Sequence, residues 1–96
     1  MNALATRTIQ KTKPLTILQR INKKDKTAVK DCVDNYGNLI WALARKFTAS
    51  REEAEAAVQE IFIDIWRYAG RADQSQSAEK LLIALIARRR LIKHLQ

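Results

Sequence analysis

The stretch S-R-E-E-A-E-A-A-V-Q-E-I-F-I-D-I-W, Ser50 to Trp66, decides how the rest of this chain must be arranged. It opens on S-x-x-E, a capping box in which the Ser50 hydroxyl accepts from the Glu53 N–H and the Glu53 carboxylate reaches back to the N–H of Ser50. The acidic first turn, Glu52 and Glu53, suits the positive end of a helix dipole. Ala54, Ala57, Val58, Ile61, Phe62 and Ile65 then recur at three- and four-residue steps, with Trp66 on the shoulder of the stripe. Such a stripe is stable in water only when other helices cover it.

The opposite face carries Ala56, Gln59, Glu60 and Ile63. A face turned only to solvent has no use for a β-branched apolar side chain beside Gln and Glu. Two readings stay open at this point: a scattered exposed Ile, which is common, or a stripe that receives a partner.

Ninety-six residues with two Gly and one Pro, nearly half of them hydrophobic by type, predict one all-α domain. The net charge of +8 is unevenly distributed. Residues 1–30 carry eight basic and one acidic side chain, residues 31–66 three and seven, and residues 67–96 seven and two, giving segment charges of +7, −4 and +5. A basic–acidic–basic order implies a polyanion at the ends and a different partner in the middle. Cys32 is the one cysteine and falls on an apolar stripe, so it reads as a small core residue of a reducing compartment. The longest apolar run, Leu81 to Ala87, is too short to span a bilayer, and no secretory signal core precedes it.

In chain order, residues 1–13 read as a disordered basic tail and residues 14–96 as the folded domain. Pro14 opens a short helix over Leu15–Ile21. Asp25 is the expected cap of a helix that keeps apolar spacing from Ala28 through Val29, Cys32, Val33, Tyr36 and Ile40 to Phe47. Gly37 interrupts it, and a close helix approach is the simplest reason. Thr48 and Ala49 force an antiparallel return. The organising helix is expected to end at Tyr68–Ala69 with Gly70 as a left-handed terminator, followed by a polar loop to Ser77. A last helix, capped by Ser75 or Ser77, carries Leu81, Leu82, Leu85, Ile86, Ile92 and Leu95 on its main side and Ile83, Ala84, Ala87 and Leu91 on the other. Arg89 falls in the main stripe, with Asp64 as its candidate partner.

The run A-E-A-A-V-Q-E-I-F-I-D-I-W resembles region 2.2 of the sigma-70 family, in particular the extracytoplasmic-function class, through Val58, Gln59, Glu60, Phe62 and Trp66. The resemblance extends from about Ile17 to Leu95. Tyr36, Leu43, Ala44 and Arg45 resemble region 2.1, and Leu82, Ile86, Ala87, Arg88, Arg90, Ile92 and Leu95 resemble region 2.4. It departs from the family pattern at Ala56, where Asp is usual, at Ala78–Leu81, where aromatic rings are usual, and at Arg89 and Lys93, where Asn and Asp are usual.

The resemblance implies a compact bundle of three main helices plus a short N-terminal one, in a cytoplasmic factor of transcription initiation. It implies binding of core RNA polymerase, at the β′ clamp helices, through Ala56, Gln59, Glu60 and Ile63. It also implies recognition and melting of the minus-ten element of promoter DNA through Arg71, Asp73, Gln74, Ser75, Gln76, Ser77, Lys80, Arg88, Arg90 and Lys93. The alternatives are a sigma-like module that engages an anti-sigma factor or another regulator without opening DNA, and an unrelated basic bundle that binds nucleic acid nonspecifically. No nucleophile–base pair, metal-ligand spacing or glycine-rich phosphate loop marks an enzyme, a metal or a cofactor.

Overall fold

The computed structural model describes residues 15–71 and 79–95, and all of the regular structure among them is helical. Four helices follow in order: α1 (Ile17–Asn22), α2 (Ala28–Phe47), α3 (Arg51–Arg71) and α4 (Glu79–His94). The all-α bundle of three main helices and a short first one is therefore as expected. The basic tail of residues 1–13, Pro14, the caps Ser75 and Ser77 and the loop of residues 72–78 lie outside the described residues.

T-x-x-Q sets the start of α1. The Thr16 hydroxyl accepts from the Gln19 N–H at 3.1 Å and the Gln19 side chain accepts from the Thr16 N–H at 2.8 Å. The helix thus begins at Ile17 rather than Leu15, with Leu18 buried and Leu15 exposed. After α1 the chain turns through Lys24, at φ 65°. Asp25 is not the cap residue itself, which is Thr27. Its carboxylate instead accepts from the Thr27 N–H at 2.9 Å and hydroxyl at 2.8 Å, and pairs with Arg20 at 2.9 Å. Arg20 also reaches Asp31 at 2.7 Å, so one guanidinium ties α1, the turn and the first turn of α2 together.

At the end of α2 the extended Thr48 donates its hydroxyl to the Ala44 carbonyl at 2.7 Å, and the chain reverses within three residues. Ser50 accepts from the Glu53 N–H at 3.1 Å, as expected, whereas Glu53 reaches one residue further back, to the Ala49 N–H at 2.8 Å. Helix α3 continues through Gly70 to Arg71, so Gly70 lies inside the helix and does not terminate it. The direction of α4 follows from its two ends. Glu79 bonds to Tyr36, and Leu95 lines a cavity with Phe47, so α4 runs parallel to α2.

The core is built from Leu18 of α1, Cys32, Ile40 and Ala44 of α2, Ala54, Ala57, Ile61, Ile65 and Ala69 of α3, and Ile83, Ala87 and Leu91 of α4. The five alanines let the helix axes approach closely while the branched side chains fill the space between them. Phe62 and Trp66 are half-buried against this core, their rings stacked with centroids 5.4 Å apart. Cys32 is fully buried, and burial first, then the nearby Glu79 charge, pushes its thiol up to about 12.

Three further expectations need correction. The buried side of α4 is Ile83, Ala87 and Leu91, while Leu81, Leu85, Ile92 and Leu95 are exposed. Both sides of this helix are apolar, so its periodicity could not choose between them. Val29 and Val33 are also exposed, because the stripe on α2 is wider than the neighbours that cover it. Finally, a Cβ built on Gly37 would meet only Val33 of its own helix, at 3.9 Å, so no helix crossing requires the glycine.

Candidate interaction faces

Of the four residues read as a partner stripe on α3, Ala56, Gln59 and Ile63 lie on the side away from the core and Glu60 on the flank toward α4. Ala56 and Gln59 are exposed, Ile63 is 46% exposed, and Glu60 is half-buried. Their inner neighbours Ala57, Ile61 and Ile65 are fully buried, so α3 divides cleanly into a packed face and an outward one. At the Ala56 end this face meets a cavity of about 300 Å³ lined by Phe47, Thr48, Ala49, Glu53, Ala56 and Leu95. Glu60 faces toward α4, where its charge helps to raise the Arg90 guanidinium.

The basic candidates divide differently. Arg90 is bound by Asp64 in a two-point fork, Nε to one carboxylate oxygen and a terminal nitrogen to the other, both at 2.8 Å. The partner of Asp64 is thus Arg90 and not Arg89, because the buried side of α4 is the Ile83–Leu91 side and Arg90 adjoins it. Hydrogen bonding to Arg90 first, with further help from Arg67 and Lys93, holds the Asp64 carboxyl below its ordinary range. Lys80, Arg88 and Lys93 are exposed on α4. The Arg71 side chain and residues Asp73, Gln74, Ser75, Gln76 and Ser77 lie outside the described residues.

Between the C-terminal half of α3 and α4 runs a groove of about 270 Å³ lined by Asp64, Arg67, Tyr68, Ile86, Arg89, Arg90 and Lys93. It gathers two of the expected phosphate-binding residues, Arg90 and Lys93, and leaves Lys80 and Arg88 out. Arg67, Tyr68 and Arg89 were not among the sequence candidates. Their signal was present: Asp64, Arg67 and Tyr68 are spaced i, i+3, i+4 on α3, and Ile86, Arg89, Arg90 and Lys93 repeat that spacing on α4. On α2, the Arg45 guanidinium lies 5.6 Å from the Trp41 ring centroid.

Among the described residues, no three His, Cys, Asp or Glu side chains gather closely enough to hold a metal ion. No described helix is long and apolar enough to cross a membrane. The family model for sigma-70 region 2 matches residues 32–96, which takes in most of α2 and all of α3 and α4. No curated protein and no solved structure gives a significant match to the chain.

Proposed function

The chain belongs to the sigma-70 region 2 family, a region of transcription initiation factors concerned with RNA polymerase and promoter DNA, and on that premise we propose that it is a cytoplasmic domain of the extracytoplasmic-function class. It docks on the β′ clamp helices of core RNA polymerase through Ala56, Gln59, Glu60 and Ile63. The observation that carries this reading is the outward face of α3, where an Ile nearly half exposed sits among polar acceptors while the other side of the same helix fills the core. Apolar area with a polar rim is what a protein interface requires. The basic α4, with Lys80, Arg88 and Lys93 exposed, serves the promoter around the minus-ten element, and its hold on phosphates weakens steeply with salt.

Capture of core polymerase by the immobilised chain tests the reading. Gln59→Ala combined with Glu60→Lys, and separately Ile63→Asp, should abolish capture while leaving the circular dichroism spectrum unchanged. Capture equal to the parent's in both variants would remove α3 from the contact.

A second reading is a module that engages an anti-sigma factor or another regulator without opening DNA. It draws support from the exposed leucines of α4 and the turn that follows it, Leu81 at 60% and Leu95 at 65%, together with Leu85 and Ile92, an outward apolar row of the kind a protein partner covers. A fluorescent base analogue in the non-template strand separates the two. It brightens on addition of polymerase and chain under the first reading and stays silent under the second.

A further inference from the structure

The outward side of α4 has an order beyond its hydrophobicity. Leu81, Leu85, Arg88, Ile92 and Leu95 follow one another at steps of four, three, four and three residues. That is the a/d spacing of a coiled-coil seam, sustained over about two heptads or roughly 21 Å of helix. All five side chains are exposed, while Ile83, Ala87 and Leu91 turn the other way into the core. The charges outside carry one sign. Lys80, Arg88, Arg89 and Lys93 are exposed, and none forms a salt bridge among the described residues. The one acid of α4, Glu79, is turned inward to the Leu18 N–H and the Tyr36 hydroxyl. An apolar seam with a cation in its middle and only cations beside it selects among occupants. A second copy would set these cations against another such row with no carboxylate between them. A helix lying on a bilayer keeps its cations off the apolar stripe, whereas Arg88 interrupts this one. A partner helix with apolar residues in the matching phase and carboxylates along its edges covers the leucines and pairs the cations at once.

We propose that the seam from Leu81 to Leu95 docks an acidic amphipathic helix of a partner protein alongside α4, with a carboxylate of that helix paired to Arg88. Leu81, Leu85, Ile92 and Leu95 supply the apolar contact, and Arg88 sets the register, as a lone polar residue in a heptad seam does. Arg88 is also among the exposed cations assigned to the promoter, so a helix on the seam takes it from DNA. The inference rests on the regulator reading in taking a protein as the occupant, and adds to it the surface, the fold and the charge of that partner.

The probe is a labelled peptide of roughly three heptads, with Leu at a and d, Glu at e and g, and a single Glu at the central d position. A peptide of the same composition in scrambled order is the control. Fluorescence anisotropy should show the first binding the chain and the second not. Leu85→Asp and Ile92→Asp, both at exposed positions, should each weaken binding about tenfold with an unchanged circular dichroism spectrum. Arg88→Glu should weaken it comparably, and a peptide with Lys in place of the central Glu should recover binding to that variant and not to the parent. Equal binding of the scrambled peptide, indifference to Leu85→Asp, or no recovery by the charge swap would each overturn the proposal. So would a dimer of the chain alone in sedimentation that Leu85→Asp dissolves, or binding to anionic vesicles with the same sensitivity, since either gives the seam a different occupant. The base-analogue experiment needs no peptide, so failure of the seam and failure of the regulator reading are read separately.

Discussion

Glu79 offers the sharpest test of how this bundle is held together. Its carboxylate accepts from the Leu18 N–H at 2.8 Å and from the Tyr36 hydroxyl at 2.6 Å, both partly buried and both on other helices. Leu18 is the second residue of α1, so its N–H is one of the donors a helix start leaves without an internal partner. A helix of six residues cannot persist on its own. The carboxylate therefore supplies α1 with a charged cap from a distance, and fixes Tyr36 in the same step. Each such bond to a charged acceptor is worth about 1.5–3 kcal/mol when desolvated. Allowing for the partial exposure of both, Glu79→Ala should cost about 2–4 kcal/mol and Tyr36→Phe about 1 kcal/mol. Urea denaturation of the two single variants and the double variant should show the pair coupled by about 1 kcal/mol. Amide hydrogen exchange should locate the added opening in α1. Burial first, then the Glu79 bond and charge, raise the Tyr36 phenol, so Glu79→Gln should also lower its titration toward the ordinary tyrosine value. A loss under 0.5 kcal/mol for Glu79→Ala with additive behaviour, against the roughly 1 kcal/mol expected of even one ordinary bond, would refute this account of the junction.

Two further predictions concern local backbone and charge. Gly37→Ala meets only an ordinary contact with Val33, so it should stabilise by about 0.8–1 kcal/mol through helix propensity and raise the melting midpoint by roughly 4–8 °C; destabilisation in the same melt would mean that something else needs the space. The Arg20 guanidinium first, then the Thr27 N–H and hydroxyl, hold the Asp25 carboxyl at about 2, below its value of 3.8 in the unfolded chain. The unfolded state then binds more protons across that interval, so the contribution of Asp25 is complete above about pH 4 and lost as pH falls through 2. Melts from pH 5 to 2 should decline less steeply in Asp25→Asn than in the parent, and identical slopes would rule the carboxylate out.

Much of the bundle was legible because helices announce themselves locally. The stripe Ala54–Ala57–Ile61–Ile65, the cap at Ser50 and the break at Thr48 are short-range patterns, and each appears in the fold where its spacing placed it. The outward position of Ala56, Gln59 and Ile63 follows from the same pattern, since a helix with one buried stripe must turn its opposite side out. T-x-x-Q at Thr16 was equally readable and gives the true start of α1. The groove was harder to see. Asp64–Tyr68 and Ile86–Lys93 each show the right spacing, but nothing in either segment says that the two face one another.

Sequence alone therefore determined the helical class, the inner and outer sides of α3 and the family resemblance, because these depend on periodicities of three and four residues. Tertiary structure alone decided which side of α4 is buried. Glu79, Ile83, Ala87 and Leu91 lie at successive four-residue steps, and anchoring the first of them to α1 and α2 sets the rotation of the whole helix. That rotation carries Arg90, rather than Arg89, to Asp64 and leaves Leu81, Leu85 and Ile92 in water. A helix apolar on both sides has no phase of its own, and receives one from the polar contacts that Glu79 and Arg90 make with residues distant along the chain.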